Sequence, residues 1–384
     1  MSRFFDLVSK PARDMGTTNA PNPTRAVVER RSRLIKLDSN ENPFGPSAGA
    51  IDAMRRTLAT VSCYPDDDCG QLRLKLAAHH GLPPEQVLVT AGSTAILSLL
   101  CQTLLAPGLN AVTSERSFIV YPLAVQAAGA QLIEVPMRDE SFDLDAILAV
   151  IDANTRIVFL ANPNNPTGTM LEAAGVDRFL ARLPGHVVLV LDEAYYEFAL
   201  HFAVLRRVRY SNSLEYVRTG AGVVVLRTFS KAHGLAGLRL GYGLGPAELL
   251  GYCARMRNTF SVSSVAQAAA MAAIDDHGHV EHVVESNAIQ SRDLTQGLSG
   301  LGYRVVPTWA NFVYCDLGED AVAFAGRLQE EGISVRPLGH WGAPNCIRVT
   351  IGTPEQNKVF LQAVRRVAGR NSVGVQVSNL VRGT

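Results

Sequence analysis

Between residues 87 and 245 short apolar runs recur: QVLVT, NAVTS, QLIEVP, RIVFLAN, HVVLVLD, GVVVLRT and GLRLGYGLG. Each is too short for a helix, and several are apolar at consecutive positions, as a strand covered on both faces must be. The stretches between them, such as AILSLLCQTLL (95–105) and VDRFLARL (176–183), space their apolar residues at helical intervals. This alternation predicts an α/β fold built on a mostly parallel seven-stranded sheet with helices on both faces. In such sheets ligands sit at the carboxyl ends of the strands.

After about residue 250 the pattern changes. A long helical region is followed by NFVYCD (311–316), a helix near 319–331, ISVRP (333–337), CIRVTI (346–351) and a last helix from Pro354. The expected division is an arm over 1–45 running beside the small unit, a large unit over 46–250 and a small α+β unit over 251–384. Turn-formers in LDSNENPFGPS mark the first boundary, and the polar tail GRNSVGVQVSNLVRGT reads as loosely ordered.

Composition narrows the function classes. Thirty-six basic and thirty-five acidic residues leave a net charge of +1, no footprint for nucleic acid or for an acidic membrane surface. The six cysteines are scattered without a CxxC pair, which suits a reducing cytoplasm. The N-terminus MSRFFDLVSKPARD lacks an apolar run of signal-peptide length, and no segment approaches the about 20 apolar residues of a membrane span.

The strand ends carry the chemistry. Gly92-Ser93-Thr94 follows QVLVT, Asn162 to Gly168 (NPNNPTG) follows RIVFL, Asp192-Glu193-Ala194-Tyr195 follows HVVLVL, and Ser230-Lys231 follows GVVVLRTF. A phosphate needs helix N-terminal amides, hydroxyls and a guanidinium, which Ser93, Thr94, Ser230 and Arg239 supply. A pyridinium ring needs a carboxylate and aromatic cover, which Asp192, Tyr195 and Phe118 or Tyr121 provide. Burial drives a lysine toward its neutral, nucleophilic form, so Lys231 suits a Schiff base. Lysine, carboxylate and phosphate cradle together describe pyridoxal 5'-phosphate.

The segments NENPFGPS, YPD, NPNNPTG, DEAYYEF, RTFSKAHGLAGLRLGY and CIRVTIGTPE resemble the class II, fold-type I aminotransferases, closest to their histidinol-phosphate branch, over residues 37 to about 365. The resemblance implies that Lys231 carries the cofactor, Asp192 faces the pyridine nitrogen, Asn165 and Tyr195 hydrogen-bond the ring hydroxyl, and Phe118 stacks on the ring. It also implies that Tyr64 reaches the cofactor phosphate of a neighbouring subunit in a homodimer. Arg348 and Arg336 would bind the anions of the substrates, an amino donor and 2-oxoglutarate or glutamate, with Asn165 beside them. Two features depart from the family's pattern. Thr94-Ala95 follow Gly92-Ser93 where an acidic residue is frequent, and the arm has no Pro-Tyr pair.

Simpler readings compete. A lysine after a strand is ordinarily a surface lysine, an aspartate there a turn or capping residue, and NPNNPTG a turn cluster; only their company changes this. Gly241-Tyr242-Gly243-Leu244-Gly245 lacks the G-x-G-x-x-G spacing of a dinucleotide site. His277, His279 and His282 read as solvated helix-end residues rather than metal ligands, and His233 as packing. The leading expectation is amino transfer from histidinol phosphate to 2-oxoglutarate. An aromatic aminotransferase and a phosphothreonine decarboxylase of the same fold are the alternatives, and a cofactor-binding regulator would need a further DNA-binding module.

Overall fold

The structure, a computed structural model, describes residues 7–14 and 34–381. Of the arm expected over 1–45, residues 1–6 and 15–33 lie outside the described part. The first described strand is β1 (Ile35–Lys36), and the apolar runs then form β2 (Val87–Thr90), β3 (Asn110–Ser114), β4 (Gln131–Val135), β5 (Thr155–Ala161), β6 (Val188–Asp192), β7 (Val223–Thr228) and β8 (Gly241–Leu244). Strands β2 to β8 make the large sheet in the order β2-β8-β7-β6-β5-β3-β4. Its pairs are parallel except where β8 runs antiparallel between β7 and β2.

Helices cover both faces, so the central strands are buried residue after residue, as their unbroken apolar runs require. The core around this sheet continues past residue 250 through Cys253, Val262, Ala266 and Ile274. The alanine-rich helix Ser264–Ala273 packs against Ala48–Thr57, and its small side chains permit that close approach.

The second sheet joins β9 (Arg304–Val306), β10 (Phe312–Asp316), β12 (Arg336–Leu338) and β13 (Ala343–Thr350) in the antiparallel order β12-β13-β10-β9. ISVRP, expected as one strand, is divided. Ile333–Ser334 (β11) pairs with β1, and β12 pairs with β13. Buried Val335 is the pivot between the two ladders. Three-residue β9 carries too little pattern to be read from sequence. The last helix spans Pro354–Val381, so the backbone of most of the tail expected to be loose is helical; the tail contains no proline to stop it. Helix His277–Ser299 links the two units, with the Asp276 carboxylate accepting from the His279 amide at 3.1 Å as its cap.

Candidate active site

A crevice of about 480 Å³ opens where the carboxyl ends of β5, β6 and β7 meet the start of helix Ser93–Leu104, the 39–41 loop and the β12–β13 face. Lys231 lies three residues past β7. Its Nζ donates to the Asn40 carbonyl at 3.1 Å and sits 5.5 Å from the centre of the Tyr195 ring. Burial, and then the Arg348 charge beside it, push the lysine down to about 8.

Asp192 ends β6 and is buried. Tyr121 OH donates to its Oδ2 at 3.1 Å and the Ala194 amide to its Oδ1 at 3.3 Å. Burial outweighs these bonds and raises the carboxyl to about 6. Such a group gains from a cation placed against it.

Tyr195 OH accepts from Asn40 Nδ2 at 2.9 Å, which leaves its own proton for a donation into the crevice. Asn165 Oδ1 accepts from Arg348 Nη1 at 2.6 Å, so its amide nitrogen faces elsewhere as a donor. Arg348 also donates through Nη2 to the Asp38 carbonyl at 2.8 Å, while its buried Nε has no partner among the described residues. Burial first, with the neighbouring Arg336 charge acting in the same direction, pushes Arg348 down to about 10.

An anion cradle lies across the crevice. Ser93 and Thr94 open a 12-residue helix, and as its first two residues their amides have no acceptor within it. Two glycines allow the close approach. A Cβ on Gly241 of β8 would lie 2.3 Å from the Ser93 amide nitrogen, and one on Gly92, at φ +87°, 2.8 Å from Arg239 Nη2. The Thr228 hydroxyl donates to Ser230 Oγ at 2.9 Å, and Arg239 Nη1 lies 3.5 Å from the same oxygen.

Phe118 lines the crevice and packs edge-on against Tyr121 at 5.7 Å. Of the residues singled out from sequence, Ser93, Thr94, Phe118, Asn165, Asp192, Tyr195, Ser230, Lys231, Arg239, Arg336 and Arg348 share this one lining, and Gly92 stands directly behind it. Tyr64 does not join them. It is 82% exposed and stacks on Phe260 at 4.6 Å.

Sequence reasoning assigned no role to Asn40 or Trp341, both in the lining. Asn40 is buried in the left-handed region at φ 54°, and its backbone and side chain together join Thr350, Tyr195, Asn311 and Lys231. Asparagine tolerates that conformation better than most residues, so the NENP segment held a signal. Trp341 ends a three-residue 3-10 turn (Gly339–Trp341) with no local sequence pattern, and its indole donates to the Ser117 carbonyl at 2.9 Å. His233 lies behind the lysine loop, tilted against Phe229 at 5.0 Å, and burial pushes it down to about 4. His277 and His282 are exposed and His279 half-buried, and no set of three metal-binding side chains occurs among the described residues.

Residues 32–364 match the family Aminotransferase class I and II. The chain is 44% identical to histidinol-phosphate aminotransferase 2 of Pseudomonas aeruginosa over 334 residues, 87% of this chain and 89% of that protein. It is 41% identical to histidinol-phosphate aminotransferase of Moorella thermoacetica, over 87% of this chain and 85% of that one. Among solved structures it is similar to histidinol-phosphate aminotransferase from Sinorhizobium meliloti in complex with pyridoxal-5'-phosphate, with TM-score 0.86 and 28% identity over 95% and 98% of the two chains. It is also similar to Thermus thermophilus aspartate aminotransferase with maleate, at TM-score 0.81 and 25% identity over 94% and 99%. By the extent of these matches and the site they surround, the chain belongs to the class I and II aminotransferases.

Proposed function

We propose that the chain moves the amino group of histidinol phosphate to 2-oxoglutarate on pyridoxal 5'-phosphate, with aromatic amino acids as side substrates, as a cytoplasmic homodimer serving histidine biosynthesis. The substrate reading is supported by relatives of that name at 41% and 44% identity. The observation that carries it is the placement of Arg336 and Arg348 in one crevice with Lys231, two fixed cations where a phosphorylated amine and a dicarboxylic oxo acid must each dock.

The residues fit the cofactor. A buried carboxyl raised to about 6 gains from a pyridinium N–H, and the first-turn amides beside Gly241 accept a phosphate without a side chain in the way. Bound pyridoxal phosphate supplies an electron sink for the pair left when the donor's carbon gives up its proton. Lys231, lowered to about 8, is at once a nucleophile near neutral pH and a base for that proton. The Asn40 carbonyl fixes where its Nζ rests. Asp192 would hold a proton on the ring nitrogen, and Asn165 and Tyr195 would donate to the ring oxygen. Arg348 orients Asn165 while taking the substrate's anion, which couples substrate docking to the ring's hydrogen bonds. Tyr64, exposed on its own chain, serves the phosphate of a second copy.

The test is kcat/KM for histidinol phosphate, phenylalanine, tyrosine and phosphothreonine as donors to 2-oxoglutarate. Histidinol phosphate is expected to lead by about tenfold or more, the scale of one charged hydrogen bond. A lead by phenylalanine would assign an aromatic aminotransferase instead, and CO2 release from phosphothreonine a decarboxylase.

A further inference from the structure

The charges of the crevice are unequal in sign. Lys231, Arg239, Arg336 and Arg348 face it, and the carboxylates in its lining are Asp192 and Glu41. Asp192 is buried and held by Tyr121 and Ala194. Glu41 is exposed to the crevice and makes no hydrogen bond or ion pair with another described residue.

Its backbone is nevertheless held on both sides. On one side Asn40 is tied through its amide to Thr350 Oγ1 at 2.9 Å and through its side chain to Tyr195 OH at 2.9 Å. On the other, Asn42 Nδ2 donates to the Ala232 carbonyl at 2.9 Å, and Asn42 Oδ1 accepts from the Phe44 amide at 2.9 Å. Gly234 lets this loop lie against the lysine loop, since a Cβ there would be 2.1 Å from the Gly45 carbonyl oxygen. Glu41 is thereby held near Lys231, where its charge opposes the effect of Arg348.

An amine donor enters as an ammonium ion, and Arg336 and Arg348, the cations of the lining not engaged by the cofactor, repel it. An oxo acid carries only negative charge. The geometry points to Glu41 as the residue that receives the ammonium group of the incoming donor and so separates amine donors from oxo-acid acceptors. This rests on amino transfer, the reaction of the family, and not on which amine is the natural donor.

A single charge of this kind has opposite effects on the two half-reactions, which a merely structural residue does not. The experiment is rapid-mixing measurement of each half-reaction with the holoenzyme and with E41Q and E41D, followed by cofactor absorbance. Donors are histidinol phosphate, glutamate and phenylalanine, and the acceptor is 2-oxoglutarate. For E41Q, kcat/KM is expected to fall about tenfold for every donor that turns over and to hold or rise for 2-oxoglutarate, with E41D recovering part of the donor loss. An equal fall in both half-reactions, or unchanged donors, overturns the assignment. Failure of histidinol phosphate alone in the parent enzyme would reject that substrate and leave the Glu41 result readable on glutamate and phenylalanine.

Discussion

Arg336 and Arg348 stand directly opposite each other across the antiparallel strands β12 and β13, and both donate to the Asp38 carbonyl, Arg336 through Nε at 3.3 Å and Arg348 through Nη2 at 2.8 Å. Like charges placed opposite in a sheet repel, and burial already pushes Arg348 down to about 10. The Asp38 carboxylate offsets part of this repulsion, leaving the rest for a substrate anion. Binding a phosphate or carboxylate relieves it.

Removing either arginine therefore has a substrate-dependent effect. Arg348→Lys keeps the charge but loses the fork that spans Asn165 and the anion, and is expected to weaken histidinol phosphate and glutamate alike, by about 2 kcal/mol in kcat/KM. Arg336→Ala is expected to harm histidinol phosphate more than phenylalanine, which has no second anion. Equal losses for these two with Arg336→Ala would place the phosphate elsewhere.

Lys231 gives a pH dependence with a defined sign. Its folded value of about 8 lies below the ordinary 10.5, with burial first and Arg348 second as causes. Uptake of pyridoxal phosphate by the cofactor-free protein should accelerate with pH and level off above about 8, where the amine is neutral. The same shift makes stability of the cofactor-free protein rise as pH climbs from about 8 to 10.5, because over that window the unfolded chain holds the proton that the folded one has released. Stopped-flow absorbance checks the first statement, and a flat profile through about 8 contradicts it. Lys231→Ala should bind the cofactor without a covalent link and lose turnover.

Asp192 runs the other way. Its carboxyl is raised from 3.8 to about 6, chiefly by burial, so the cofactor-free protein loses stability as pH rises through that window. About two pKa units correspond to about 3 kcal/mol, an upper bound on what Asp192→Asn recovers in the cofactor-free protein at neutral pH. The gain should vanish below about 4, where both folded and unfolded carboxyls are protonated. With cofactor bound the sign of the substitution reverses. The ring nitrogen loses its partner, and the proton-transfer rate is expected to drop about 10²-fold or more. Thermal unfolding with and without cofactor, at two pH values, separates the two effects.

Much of this was legible in the chain because the large sheet is built from strands covered on both faces. Such strands must be apolar at every position, and the polar residues that follow each one, Asp192 directly after HVVLVL or Asn165 in the NPNNPTG turn after RIVFLA, mark the crevice without any long-range information. Trp341 was not legible for the opposite reason: only packing of the small unit against Ser117 brings it to the site. Val335 hid in a continuous β-like run because a change of ladder leaves no trace in hydrophobicity. The core's extension to Ile274 was masked by alanines that read as helix but not as belonging to either unit.

Tyr64 stacks on Phe260 outside the crevice of its own chain, and both rings are exposed. If a second copy brings this tyrosine to the cofactor phosphate, an inactive Lys231→Ala chain mixed with an inactive Tyr64→Ala chain forms heterodimers in which one of the two sites has both residues intact. Activity should return toward about half the parent's value per heterodimer, the share set by one good site in two under two-fold symmetry. Verified subunit exchange with no recovered activity would show that Tyr64 acts within its own chain or not at all.

Gly241 offers a test of the anion cradle that touches no polar side chain. Its position on β8 puts any Cβ 2.3 Å from the Ser93 amide nitrogen and 2.9 Å from the Arg227 carbonyl oxygen, both of them backbone atoms that cannot swing aside. Gly241→Ala must therefore push the start of helix Ser93–Leu104 away from the strand and misalign the first-turn amides. Gly243, two residues along the same strand, is the control: its Cβ would meet the Ile96 side chain at 3.1 Å, and a side chain can shift. With phosphate held by those amides, Gly241→Ala should weaken cofactor binding by about 10²-fold, the equivalent of about 2.7 kcal/mol, while Gly243→Ala changes it by less than about threefold. Equilibrium titration of the cofactor-free variants reads both numbers, and their folding is checked by circular dichroism. Unchanged affinity in a folded Gly241→Ala protein would mean that the phosphate does not rest on the Ser93–Thr94 turn.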